Sequence, residues 1–397
     1  MMKRHCAHVI STNSNMTVLH ICGDFILSKV HISLFSELDN LGIKQIVYVP
    51  VNYSNRNRKR TEYNFKVNGS RIIYSKPLKK LHRFLYGLKI SSLVRELESL
   101  IDVSDVDIIH SSLLCNEGAV AYELSRKYNK KFISSVRNTD MNDYFRIFKW
   151  RIPYFKKIAK AAERLVFISP TYKDRFCQLF DNQLRNILSE KSNVVYNGVD
   201  PYYLQNQSRP NSQIANPVRI VTAGAFLPNK NLHGLILAAD ILKKRGIDLR
   251  LCLIGNNLAT NNSNANYSKR ILEMAKSRNW VEVLDAQPKE KLCEIYRQSD
   301  IFALISFHET FGLSYVEALS QGLPIVYTKG EGFDNVFNDG YVGKPAIADN
   351  PESIADSISD VISNYDQMTE NIAKIDFEQF AWNAIAKRYK QLYLSLL

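Results

Sequence analysis

The stretch that most constrains this chain is Ser306–Val326, which reads SFHETFGLSYVEALSQGLPIV. It follows an apolar run, Ile301–Ile305, that reads as a buried strand, and it opens into a helix. Gly322-Leu323-Pro324 stops that helix before a second apolar run, Ile325–Tyr327. Strand, helix and strand in so few residues form a crossover, the unit of a parallel sheet. Thr310, Phe311 and Gly312 make the turn at the helix start, where backbone amides without helical partners attract an anion. Glu309 precedes this turn, and Glu317 lies about two turns inside the helix. Carboxylates on both sides of an anion site suit a ligand with hydroxyls at its ends and phosphate in its middle, such as a nucleotide-sugar. A plain crossover, with Glu309 only complementing the helix dipole, reads the same way.

The same alternation recurs along the chain. Val18–Cys22 is a short strand ending at Gly23; a helix pattern over Lys29–Leu41 closes at Gly42, and a strand runs through Ile46–Val51. Asn52–Arg71 is polar and basic and reads as a loop or hairpin. Asp107–His110, Phe132–Val136 and Leu165–Ile168 are further strands, with helices over Glu117–Tyr128 and Arg151–Ala162. In the second half, strands at Arg219–Thr222, Leu249–Ile254 and Val281–Leu284 alternate with helices at Asn231–Arg245 and Lys289–Gln298. Strand-turn-helix repeats of this kind build Rossmann-type layers, and 397 residues are enough for two domains. Gly23 lacks the full GxGxxG fingerprint, so no NAD site is inferred.

Charge separates the halves. Residues 1–200 carry 32 Lys and Arg against 18 Asp and Glu, whereas residues 201–397 carry 20 against 21. The whole basic excess therefore lies in the first half. It suits an anionic partner: a membrane surface, a lipid diphosphate or nucleic acid, with a solvated basic face as the plainer alternative. Lys76–Leu100 sets Leu78, Leu81, Leu85, Leu88, Leu93 and Leu97 at near-helical spacing among lysines and arginines. This is a basic amphipathic helix that either packs by its apolar stripe or lies on anionic lipid. No apolar run approaches the roughly 18 residues of a membrane span, and Met1–Val18 lacks a signal-peptide core, so the chain reads as cytoplasmic. The six cysteines (6, 22, 115, 177, 252 and 293) form no CxxC pair, and no His cluster has zinc-ligand spacing. They read as free thiols, without a disulfide framework, a metal or a cofactor.

The Glu309–Glu317 segment resembles the Glu, seven residues, Glu motif of retaining GT-B glycosyltransferases of the family-four type (glycosyl transferases group 1). The resemblance implies an α/β GT-B fold, two Rossmann-like domains facing each other across a cleft with a C-terminal helix crossing back to the first. It places Glu309 on the donor sugar, Glu317 on the ribose hydroxyls, and the amides of Phe311, Gly312 and Leu313 at the diphosphate. Gly23 resembles the first-strand glycine, with Asp24 where a second glycine is common. Gly224 and Lys230 match the donor loop, Lys230 being the diphosphate cation, but Ala225 stands where the family has Arg. After Phe132–Val136 many members carry a His-Asp pair; here Arg137-Asn138-Thr139-Asp140 offers Asp140 for the acid and no His. Asn197-Gly198-Val199-Asp200 resembles the strand-to-linker signature, and Gly330-Glu331-Gly332 the loop that closes over the donor, although a simple turn reads the same. The implied domains are 1–204 for the acceptor, 205–376 for the donor and 377–397 as the returning helix.

The activity implied is metal-independent transfer of a hexosyl or N-acetylhexosaminyl group from a nucleotide-diphosphate sugar to a glycan hydroxyl, with retained configuration. The basic first half suits a polyprenyl-diphosphate-linked acceptor at the inner membrane face, in bacterial surface polysaccharide assembly. Two other classes compete. One is a donor-binding protein that has lost catalysis, as the missing Arg and His would allow. The other is a basic nucleic-acid-binding protein, for which the sequence shows no aromatic-and-basic recognition motif, so no nucleic acid is expected.

Overall fold

The computed structural model describes residues 16–26, 29–255 and 262–397. Cys6 and most of the Met1–Val18 reading lie outside the described residues. Seven strands form the first sheet: β1 (Thr17–Ile21), β2 (Lys44–Val49), β3 (Arg71–Tyr74), β4 (Ile108–Ser111), β5 (Lys131–Val136), β6 (Arg164–Phe167) and β7 (Ser192–Val194). Their order is β3-β2-β1-β4-β5-β6-β7. Six form the second: β8 (Val218–Ala223), β9 (Leu249–Ile254), β10 (Val281–Leu284), β11 (Ile301–Ala303), β12 (Ile325–Thr328) and β13 (Gly343–Ala346). Their order is β10-β9-β8-β11-β12-β13. β1 lies parallel to both β2 and β4, and β8 to both β9 and β11. In each sheet the order reverses beside the first strand, and that is where an open parallel sheet leaves a crevice at its carboxyl edge.

Every residue of β1 and of β12 is buried, as strands covered on both faces require. In the second sheet the pleat sorts neighbours into two cores. Ile220, Ile301 and Ala303 join one with Ile236, Leu242 and Ile358. Val221 and Phe302 join the other with Phe311, Tyr315 and Phe380. Adjacent strand residues facing opposite ways is the period-two signature of a two-faced sheet.

The chain divides into two compact units. One comprises the residues up to Ser135 with Tyr144–Leu165 and Tyr389–Leu397; the other comprises Val136–Asp143 and Val166–Arg388. Within the first, Tyr393 of the last helix, Trp382–Leu394, makes a 2.8 Å hydrogen bond with His110 of β4. No helix among the described residues is long and apolar enough to cross a membrane. Four of the five described cysteines, Cys22, Cys115, Cys177 and Cys293, are buried.

One sequence expectation is corrected. Lys76–Leu100 is not a single amphipathic helix. Pro77 and Leu78 lie outside any helix, with the Leu78 amide donating to the Val51 carbonyl at 2.9 Å. A short turn, Lys80–Arg83, follows, and the helix proper is Tyr86–Leu100. The stripe divides accordingly: Leu78, Leu93 and Leu97 are buried, whereas Leu81, Leu85 and Leu88 are exposed.

In the second unit Asp300, fully buried, fastens β8 to the start of β11. Its carboxylate accepts the Arg219 amide at 2.8 Å and the Arg219 guanidinium at 3.0 and 2.8 Å. Arg219 retains water access, which moderates the pair. Asp300→Ala should therefore lower the unfolding free energy by about 2–3 kcal/mol, as urea denaturation would measure.

Candidate functional site

The helix after β11 is Leu313–Ser320, entered through Gly312 at φ +81°. L residues rarely adopt that angle, and a Cβ there would lie 2.3 Å from the Tyr315 ring. Phe311 is buried and stacks on Tyr196 with ring centroids 5.4 Å apart. Its ring thus anchors the turn whose amides begin the helix. Gly322, at φ +88°, closes the helix.

Lys230 ends the turn Pro228–Lys230 after β8. Its ammonium lies 2.8 Å from Glu309 Oε2, which also accepts from Ser306 Oγ at 3.3 Å. The two loops are stitched by Asn229. Its side chain donates to the His308 carbonyl at 2.9 Å and accepts the His308 amide at 3.1 Å, while its own carbonyl accepts the Phe307 amide at 2.9 Å. A Cβ on Gly224 would sit 3.9 Å from Lys230 Cε, so the end of β8 runs alongside the lysine stem. The structure therefore gathers Gly224, Lys230, Glu309 and the Phe311-Gly312-Leu313 turn.

Glu331, which the sequence offers only as part of a glycine loop, is the organising carboxylate. It accepts the Tyr172 hydroxyl at 2.7 Å, the Glu309 amide at 3.0 Å and Arg175 Nη1 at 3.3 Å. Burial and the charge of Glu331 raise the Tyr172 phenol, which keeps it a donor. A Cβ on Gly332 would lie 2.1 Å from the Thr310 carbonyl, so this loop packs backbone to backbone against the turn. The signal that could have found Glu331 was a carboxylate between two glycines just beyond β12. Nothing in the sequence points to Tyr172 or Arg175.

Glu317 sits among Tyr203, Tyr296 and Asp200. Loss of water, then the Asp200 charge, push its carboxyl up to about 7. Asp140 is fully buried and accepts the Arg137 amide at 2.9 Å. In that position it shapes the turn that carries Arg137 and Asn138. The Asn138 amide group reaches Thr310 Oγ1 at 3.4 Å, and Arg137 donates to Asn197 at 3.3 Å. Gly23 belongs to the other compact unit, where its amide donates to Glu117 at 3.2 Å and a Cβ would lie 2.5 Å from the same carboxylate.

Two parallel sheets, each reversing order beside its first strand, define an α/β protein of the GT-B class. Anabaena HepE, solved in complex with UDP, superposes with a TM-score of 0.70 at 17% identity, covering 96% of this chain and 100% of that one. The family Glycosyltransferase Family 4 matches residues 29–203, and Glycosyl transferases group 1 matches residues 205–376. The chain belongs to these glycosyltransferases. Over 331 residues it is 25% identical to an uncharacterized glycosyltransferase of Methanocaldococcus jannaschii, covering 82% of this chain and 85% of that protein. Over 174 residues it is 28% identical to a D-inositol 3-phosphate glycosyltransferase of Corynebacterium urealyticum, 42% of this chain and 40% of the relative.

The Glu317 shift sets a pH dependence. Its folded pKa lies above its unfolded value, so folding favours the proton. Wild type should lose stability relative to Glu317→Gln as pH rises from about 4.5 to about 7, and the gap should then level off. Chemical denaturation of both proteins at steps between pH 4.5 and 8 would show it.

Proposed function

We propose that this chain is a retaining, metal-independent glycosyltransferase that moves a hexosyl or N-acetylhexosaminyl group from a nucleoside-diphosphate sugar to a glycan hydroxyl. The observation that carries this reading is the Lys230–Glu309 pair beside the Gly312 helix start. A cation, backbone amides and a carboxylate meet at one sheet edge, and these are the groups a sugar diphosphate needs. The complex of HepE with UDP-glucose, a structure of similar fold, supports the same donor class.

In this mechanism the Phe311, Gly312 and Leu313 amides and Lys230 stabilise the charge that develops on the departing diphosphate. Glu309 holds hydroxyls of the transferred sugar. Glu317 accepts from the ribose hydroxyls, which favour its ionised form. Asp140 acts by positioning the Arg137-Asn138 turn. With no second carboxylate placed as a nucleophile among the described residues, attack on the same face as departure is the favoured course. Residues 205–376 are the donor half, residues 1–204 the acceptor half and 377–397 the closing helix. The acceptor we propose is lipid-linked, with the enzyme peripheral on the cytoplasmic face of a membrane in polysaccharide assembly.

A second reading, donor binding without transfer, is favoured by Ala225, where the family carries an arginine. Kinetics separate the two. Lys230→Gln should lower kcat by about 10²–10³ while the fold melts as before. Glu309→Gln should damage transfer more than UDP binding, and Glu317→Gln should weaken UDP binding by about tenfold or more. Nucleotide affinity of the wild type should rise with pH through about 7 and that of Glu317→Gln should not. Calorimetric titration with UDP, GDP and ADP at pH 6 and 8, with a transfer assay on the sugar forms, reads all of these; nucleotide binding with no turnover would favour the second reading.

A further inference from the structure

The first compact unit contains a cavity of about 620 Å³ that the donor site does not use. Its lining carries Lys79, Lys80, Lys89 and Arg151 and, among the described residues, no carboxylate. Tyr53, Phe84, Tyr86, Tyr144 and Phe148 supply its aromatic walls. Four cations around a small volume repel one another, and the sequence keeps them there without an acidic partner among the described lining residues.

The cations are held in place. Lys89 Nζ donates to Asn116 Oδ1 at 3.1 Å, and the Asn116 amide group donates to the Tyr144 hydroxyl. The Arg151 guanidinium lies over the Tyr86 and Phe148 rings, 4.5 and 4.6 Å from their centroids. Burial holds the Lys89 pKa below its usual value; Glu117 opposes that shift and Arg151 adds to it. Glu117, however, is also turned to the Gly23 amide. An anion in the cavity would relieve both the dehydration of Lys89 and its repulsion by Arg151.

The rim adds a second, independent observation. Phe84 is 75% exposed, Trp150 70%, Leu81 58%, Leu88 55% and Ile147 51%. These side chains come from two short segments, 81–88 and 147–150, that border the cavity. Phe84 and Phe148 both line it, and Trp150 packs edge-on against Phe148 at 5.5 Å. Exposed apolar side chains on two segments that also carry lysines and an arginine suit the interface of a bilayer better than a freely dissolved sugar phosphate.

We propose that this cavity holds the phosphate of a lipid-borne acceptor, with Lys89 and Arg151 as its cationic partners and the Phe84–Trp150 rim seated in the bilayer interface. The inference rests on the acceptor reading above and assigns its chemistry: a phosphate group joined to an apolar chain. Tyr86 and Phe148 hold the guanidinium plane, so Arg151 presents a fixed fork, and Lys89 adds a point charge.

The test is flotation of the full chain with phosphatidylcholine vesicles carrying phosphatidic acid, compared with vesicles brought to the same surface charge with phosphatidylglycerol. The expected result is binding about tenfold tighter to the phosphatidic acid vesicles. Lys89→Gln and Arg151→Gln should each abolish that preference, and Phe84→Ser combined with Trp150→Ser should weaken attachment to both vesicle types. Melting curves establish that each variant is folded, and the two single-charge variants do not depend on each other. Equal binding to both vesicle types, unchanged in Lys89→Gln and Arg151→Gln, would overturn the proposal. Glycerol phosphate binding in solution as tightly as the vesicles would overturn the lipid source. UDP binding, read by thermal shift on the same samples without lipid, keeps the two readings apart. A chain that takes UDP but shows no preference for phosphatidic acid refutes this inference and leaves the donor reading standing.

Discussion

Parallel strand order is the constraint on which the site depends. Adjacent parallel strands cannot be joined by a hairpin, so the chain leaves each strand at its carboxyl edge and returns through a helix. β8 and β11 are neighbours in the second sheet although 77 residues separate the end of one from the start of the other. Their adjacency brings the Gly224–Lys230 loop to the Ser306–Gly312 loop, and Asn229 fixes the two together across a separation of 79 residues. The ion pair between Lys230 and Glu309 follows from this order. Without it, the two residues would be unrelated charges on different loops.

Three glutamates around that edge show how environment divides one residue type into separate tasks. Glu309 is paired with a lysine and remains within reach of water. Glu317 has lost most of its hydration and faces Asp200, so its charge is costly until something supplies donors. Glu331 is committed to Tyr172, Arg175 and the backbone of Glu309, and serves as a fixed acceptor. The first two are adaptable because their surroundings leave them incomplete. The third is rigid because its surroundings complete it.

Much of this was legible in the sequence because it is local. Leu249–Ile254 and Val281–Leu284 are strands of the stated length, and Glu117–Tyr128 is a helix of the stated length, since apolar runs and helical spacing are read within a window. Polar helices were not legible: Asn182–Glu190 and Asn262–Lys276 carry too few apolar residues to announce a buried face. The Lys76–Leu100 pattern misled because leucine spacing alone does not distinguish a stripe that is buried from one that is displayed. Contacts distant in sequence were also hidden. Tyr172 meets Glu331 across 159 residues, and no feature of either segment names the other. The burial of Asp140 could not be inferred from a loop motif in which an acid is equally at home in water.

The bond between His110 and Tyr393 spans 283 residues and lies inside a unit most of which is made long before its partner exists. On the ribosome, β1 to β5 emerge first, yet their unit lacks its last helical turns until Tyr389–Leu397 have been added. The second unit, by contrast, is nearly complete in sequence when residue 388 has been added. Order of synthesis and order of completion are thus reversed. The nascent first unit has to persist with the His110 side of its core uncovered, at the stage when exposed apolar surface most readily recruits chaperones or aggregates.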